Sequence, residues 1–307
     1  MISVAKRNID FMGMRTVFFA ISGVLVAAAI VVLLTKGLTF GIEFQGGTIM
    51  TFEGAESVSV EEMRTALEDA GVPDVQNATI QLTDDGQFIV RTAESDTDAA
   101  QGAFGTVRDS LDLPDQDVNV TTIGPGWGKN VTDSAVLALI VSIIAILLYI
   151  SVRFEYKMSV TAVIALFHDI LVALGIYALS GREVTPNTIA ALLTILGYSL
   201  YDTIVVFHRI RENSTGLTKM SFMDMTNESI NQVFMRWFNT GLIQIIPVVV
   251  LFFFGGETLR DFAFAMAVGL AVAAYSTISL ASPLYALWKE REPRFQALKK
   301  RYEAAAK

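Results

Sequence analysis

The chain has 307 residues, 52% of them apolar, and a positive mean hydropathy, which is too greasy for an ordinary soluble domain of this length. Cysteine is absent and only His168 and His208 supply imidazoles, so disulfides, thiol nucleophiles and thiolate or histidine-rich metal sites are all excluded. The net charge of −8 argues against nucleic-acid binding.

Six segments are long and apolar enough to cross a bilayer as helices: Thr16–Leu34, Ala135–Val152, Met158–Leu179, Thr188–Phe207, Phe238–Phe254 and Phe262–Leu287. Each has roughly 17 residues or more, close to the ~20 a spanning helix needs. None shows the alternation of a membrane barrel, so helix is the expected structure. Lys6, Arg7 and Arg15 before the first span resemble the start of a signal peptide. Its apolar stretch is too long for one, and Ala27–Ala28–Ala29 sits in its middle, so the first helix, within 16–36, reads as an uncleaved anchor.

After it comes a region, 37–130, with the pattern of a small domain. Thr48–Phe52 alternates as a strand, and Ser59–Ala70 reads as a helix ended by Gly71 and Pro73. Ala78–Leu82 and Phe88–Arg91 flank a hairpin-type turn at Asp84–Asp85–Gly86. Asp98–Leu111 reads as a second helix and Val118–Ile123 as a last strand. The order βαββαβ is that of a ferredoxin-like split unit, an α+β fold. Seventeen acids against three arginines between Glu43 and Asp117 make its surface acidic. That charge serves solvation, discourages adhesion to anionic lipid, or greets cationic clients; these readings stay open.

Residues 131–290 form a five-helix transmembrane bundle with a loop near 209–236, and 291–307 a charged tail. Lysine and arginine set the orientation. With the N-terminus (1–15) inside, sixteen fall on inner segments and seven on outer ones, so both termini are expected in the cytoplasm and the α+β domain outside.

Within the spans the only carboxylates are Asp169 and Asp202. An ionisable group at such depth is expensive and marks proton or ion movement. Asp202 is expected about five residues from the end of its helix, and Arg236 just ahead of Phe238, so the two could meet at similar depth. Ionised aspartate favours arginine in a low-dielectric site and protonated aspartate releases it, which makes a one-proton switch; the alternative is a static pair that fixes helix register. His168–Asp169 could relay protons toward Asp202 or serve interhelical hydrogen bonding. Gly46–Gly47 is expected to turn the chain into the first strand, the alternative being a substrate contact. Ala265, Gly269, Ala273, Thr277 and Ala281, four apart, form a packing stripe. Pro247 could kink its helix, and Asn239 and Gln244 could line a wet interior. No nucleophile-base pair, phosphate loop or metal-ligand cluster stands out, so no enzyme is expected.

Several motifs stand out: Gly41-Ile42-Glu43-Phe44-Gln45-Gly46-Gly47-Thr48; Arg153-Phe154-Glu155-Tyr156-Lys157; Ala165-Leu166-Phe167-His168-Asp169; Gly197-Tyr198-Ser199-Leu200-Tyr201-Asp202-Thr203-Ile204-Val205-Val206-Phe207, continuing into Arg209-Ile210-Arg211-Glu212-Asn213; Asn227-Glu228-Ser229-Ile230-Asn231-Gln232; and Phe254-Gly255-Gly256-Glu257-Thr258-Leu259-Arg260-Asp261-Phe262. In this order they resemble one known family, SecF, a subunit of the bacterial SecDF protein-export complex, which looks like half of a transporter of the resistance-nodulation-division type. The resemblance spans the chain. Family members often carry Asp in place of Glu43, Asn in place of Tyr201 and Asp in place of His208. The resemblance implies proton-coupled roles for Asp202 and Arg236, with the proton as coupling ion and no cofactor or metal. It implies SecD as partner, docking on the SecYEG channel, YajC and indirectly SecA nearby, a translocating preprotein as client, and the bacterial cytoplasmic membrane as location. Three other functions fit less of the pattern: a small-molecule or lipid exporter of the same superfamily, an intramembrane aspartyl protease, and a passive scaffold.

Overall fold

The computed structural model describes residues 9–305 other than 56, 84–85, 95, 115–118 and 219. In chain order the elements are α1 (Arg15–Thr35), the two-residue strand β1 (Thr39–Phe40), the helical turn α2 (Ile42–Gln45), β2 (Gly47–Phe52), α3 (Val60–Asp69), a 3-10 turn (Val75–Asn77), β3 (Thr79–Leu82), β4 (Phe88–Thr92), α4 (Thr97–Ser110) and β5 (Val120–Ile123). Then follow α5 (Pro125–Arg153), α6 (Tyr156–Ser180), β6 (Glu183–Val184), α7 (Pro186–Ser214), α8 (Phe222–Phe254), α9 (Gly256–Ser276), a π turn (Thr277–Ala281), α10 (Ser282–Glu290) and α11 (Pro293–Ala305). Two compact units result. One holds the chain up to Thr39 and from Leu139 onward; the other is Phe40–Ala138.

The α+β unit has a four-stranded antiparallel sheet in the order β3-β4-β2-β5. Alternation in β2 sends Thr48, Met50 and Phe52 inward, where Met63 and Leu67 of α3 and Phe104 and Val107 of α4 close the core. Phe52 and Phe104 stack at 4.6 Å between centroids. α3 starts at a capping box in which Ser59 Oγ accepts from Glu62 N–H and the Glu62 carboxylate accepts from Ser59 N–H. Gly46 and Gly47 both have positive φ, +80° and +126°, and a Cβ on Gly47 would overlap the Thr92 carbonyl oxygen. Only glycine can make that turn into the sheet. At the expected turn, 84–85 and the strand position 118 lie outside the described residues; Thr83 N–H closes the hairpin onto Gln87 O at 2.8 Å.

Among the described residues six helical stretches are long and apolar enough to cross a membrane. Exposed faces of α1, α5 and α8 are apolar, while the interior is rich in small and hydroxyl residues, as expected where lipid rather than water is the surrounding medium. The stripe Ala265–Ala281 is buried inside this unit: a Cβ on Gly269 would overlap Ile195 of α7, and one on Gly175 would overlap Ala29 of α1. α6 ends at Gly181 with φ +70°, and α7 opens on Thr185 with Pro186 in its first turn. Gly255 and Gly256 join α8 to α9.

Three expectations are corrected. The stretch near 209–236 is mostly helix, since α7 runs to Ser214 and α8 starts at Phe222. Hydropathy marks the length in contact with lipid, whereas polar residues continue the backbone ladder here, and Gln232 Oε1 ties the two helices by accepting from Arg209 Nε (2.5 Å) and Asn213 Nδ2 (2.9 Å). Asp202 is therefore about three turns from its helix end, not five residues. The last span is not one regular helix. Pro283 lacks an N–H and crowds the carbonyl four residues back, and the π turn ahead of it adds room; Ser282 Oγ donates to Thr277 O at 2.8 Å.

Candidate functional site

The site grows from α6, α7, α8 and α9, which pack on one another. α6 carries Asp169 inward at 1% exposure. Its Oδ2 accepts hydrogen bonds from Ser199 Oγ of α7 (2.6 Å) and Ser276 Oγ of α9 (2.8 Å). Its Oδ1 lies 3.0 Å from Nδ1 of the adjacent His168. His168 is 6% exposed; its Nε2 is buried without a hydrogen-bond partner among the described residues, and its ring lies 6.3 Å from that of Tyr275. Tyr275 in turn donates to Phe18 O of α1 at 2.9 Å.

Asp202 is surrounded differently. It is 8% exposed, and among the described residues no hydrogen bond or ion pair reaches it. It faces a cavity of about 200 Å³ between α7, α8 and α9, shared with Tyr198, Trp237, Gln244 and Ala273. Trp237 Nε1 is likewise buried without a partner. Asn239, expected to line a wet interior with Gln244, is not among the lining residues. Pro247 lies within the continuous α8.

Arg236 forms no ion pair with Asp202. Its Nη2 donates to Tyr201 Oη at 3.4 Å, and it lines a neighbouring cavity of about 490 Å³ with His208, Arg209, Glu212 and Gln232. Tyr201, 48% exposed, thus holds the arginine rather than the aspartate. Asp169 and Asp202 share no hydrogen bond.

The other matched motifs have structural partners. Glu43 belongs to the α2 turn, between Gly41 and Gly46. Glu155 accepts from Tyr285 Oη (2.5 Å) and pairs with Lys289 (2.9 Å), and Glu292 pairs with Lys157 and Lys289, both at 3.0 Å. This ties the α5–α6 turn to α10. Burial pushes the Glu292 carboxyl up, and the hydrogen bonds and charges of Lys157 and Lys289 outweigh it, so its pKa lies below the usual range. Asp261 pairs with Arg182, whose guanidinium also stacks over Phe252 and Phe264. Asn231 grips the main chain of Ile9 through both its N–H (2.9 Å) and its C=O (2.8 Å), and Asn227 accepts from Met12 N–H at 3.2 Å. Ser276 and Trp237 are not named by the sequence reading, and Ser199, Asn227 and Asn231 appear there only inside matched motifs, without these partners; the i, i+4 spacing of the two asparagines is the signal that puts them on a common face.

Membrane-spanning helices around two buried carboxylates, joined to a small α+β unit, define a multi-pass membrane protein. The family model for "Protein export membrane protein SecD/SecF, C-terminal" matches residues 106–291, and that for "SecD/SecF GG Motif" matches residues 31–58. The chain belongs to the SecD/SecF family. It is 39% identical over 300 residues to protein translocase subunit SecF of Streptomyces coelicolor, covering 95% of this chain and 80% of that protein. It is 38% identical over 307 residues to protein translocase subunit SecF of Desulfurispirillum indicum, covering 96% and 97%. A crystal structure of SecDF, a translocon-associated membrane protein from Thermus thermophilus, superposes with a TM-score of 0.84 at 37% identity, covering 92% of this chain and 39% of that one. SecDF in its super-membrane-facing form gives 0.66 at 35% identity, covering 94% and 40%. The chain thus spans about two fifths of the solved SecDF chains.

Proposed function

We propose that this chain is the SecF half of a SecDF assembly in the bacterial cytoplasmic membrane, using the proton motive force to assist preproteins through the Sec channel. SecD supplies the other half of the bundle, and SecYEG is the channel on which the pair docks, with YajC and, indirectly, SecA nearby. Both termini are cytoplasmic. The α+β unit, a ferredoxin-like split fold by its strand order, lies on the far side and engages the emerging chain. The proton is the only coupling species, and no cofactor is needed.

The observation that carries this reading is Asp202, buried, without a partner among the described residues and facing a cavity, with Arg236 of α8 bonded to the adjacent Tyr201. Ionised, the carboxylate favours the guanidinium; protonated, it releases it, and α7 and α8 adopt two arrangements. The absence of the ion pair here fits the released arrangement. One charge crossing 100 mV supplies ~2.3 kcal/mol, enough to bias an equilibrium of a few kcal/mol. The test is Asp202→Asn in membrane vesicles that retain an assembled complex. Export stimulated by the proton motive force is expected to be lost while its ATP-driven part remains. Undiminished stimulation would sink the proposal.

A further inference from the structure

Asp169 and Asp202 sit on adjacent helices in opposite circumstances. Both Asp169 oxygens are occupied, Oδ2 by the Ser199 and Ser276 hydroxyls and Oδ1 by His168. It lines neither of the two cavities beside α7. Ser199 lies three residues before Asp202, one helical turn, on the same helix. Thr203, the residue after Asp202, donates to Ser199 O at 3.0 Å and meets Thr277 Oγ1 at 3.3 Å, at the start of the π turn. The turn of α7 that carries Asp202 is therefore pinned on both sides, while Asp202 itself is left without a bond. π turns recur at functional positions. Where this one begins, Ser276, the last residue of α9, and Thr277, the first of the turn, each meet a partner on another helix.

We infer that Asp169 is a positioning residue for Asp202. It sets the rotation of α7 through Ser199, so that Asp202 faces its cavity, and it keeps its own protonation state through the cycle. A proton on Oδ2 would leave that oxygen fewer acceptor sites for the two serine hydroxyls, so that one of them would have to turn from donor to acceptor. The inference rests on the proton-coupling role proposed for Asp202. The titratable groups near Asp169 are His168 on α6 and Tyr275 on α9, whose ring faces that of His168. Near Asp202 they are Tyr198 and Tyr201 on α7 and Arg236 on α8; no α8 or α9 residue lining its cavity is titratable.

The test is infrared difference spectroscopy of carboxyl protonation across pH, on the full chain reconstituted with SecD, in the wild type and in Asp202→Asn, Asp169→Asn and Ser199→Ala. The wild type is expected to show a titrating band that Asp202→Asn removes. Asp169→Asn and Ser199→Ala are expected to keep that band with a displaced midpoint. Ser199→Ala cuts the link without touching either acid, so the test survives if Asp169→Asn does not fold. A band lost in Asp169→Asn but kept in Asp202→Asn makes Asp169 the exchanging group and overturns the inference. Unmoved midpoints in both positioning variants overturn it as well. No band sensitive to Asp202→Asn in the wild type overturns the proposed function, and the inference with it.

Discussion

The two units sort their residues in opposite ways. Phe40–Ala138 puts Phe52, Phe88 and Phe104 inside and buries none of its described acids, so burial of apolar surface from water holds it together. The helical unit exposes Val24, Val31 and Leu34 of α1 and Ile243, Phe253 and Phe254 of α8, and buries Ser199, Thr203, Ser276, Thr277 and two aspartates. Between lipid-facing helices the hydrophobic effect gives little, so close packing at Gly175 and Gly269 and hydrogen bonds between helices take over. A polar group inside such a bundle therefore needs either a partner or a task. Asp169 has partners; among the described residues Asp202 has none, and the proposed task falls to the second.

The contrast between the units can be broken most forcefully with one substitution at two places. Phe104→Ala removes a fully buried ring from the α+β core and should cost ~3–5 kcal/mol, read as faster proteolysis within that unit in the full chain. Phe253→Ala, on an exposed face of α8, should change stability by no more than about 0.5 kcal/mol. Comparable losses at both positions would erase the distinction.

A smaller effect sharpens it at the polar rim of the helical unit, where water-like electrostatics should return. The Glu292 carboxyl is held below 4.5 by Lys157 and Lys289. A group with a depressed folded pKa stabilises fully above its unfolded value and loses that contribution as pH falls through the folded value. Acidification below about pH 4.5 should thus remove at most about 1 kcal/mol at this rim, half-exposed as it is, and Glu292→Gln should abolish that part of the pH dependence in unfolding measurements. A dependence unchanged in the variant would assign the effect elsewhere.

Much of the architecture is legible in the sequence because it follows from periodicity. Strand alternation at Thr48–Phe52, the Ser59 cap and Gly71 mark the α+β elements to within a residue or two, and apolar length marks the six spans. What stays hidden depends on helix rotation and on distant partners. Nothing in the sequence says that Ser199 and Ser276 converge on one oxygen of Asp169, since that requires the phase of three helices at once. The widened turn at Thr277–Ala281 is invisible to apolar period, although Pro283 signals it. Asn231 finds its partner 222 residues away, on the main chain of Ile9, where side-chain identity carries no signal. Asp202 itself is readable because a carboxylate in a long apolar run is costly wherever its neighbours fall.

The central claim, that one proton on Asp202 decides where Arg236 rests, is tested most directly by the separation of these two side chains in the SecD-bound protein, determined at a pH on each side of the Asp202 titration. The account predicts that Arg236 stays on Tyr201 when Asp202 is protonated and moves to within about 4 Å of the carboxylate when it is ionised. The same separation in both states would contradict it.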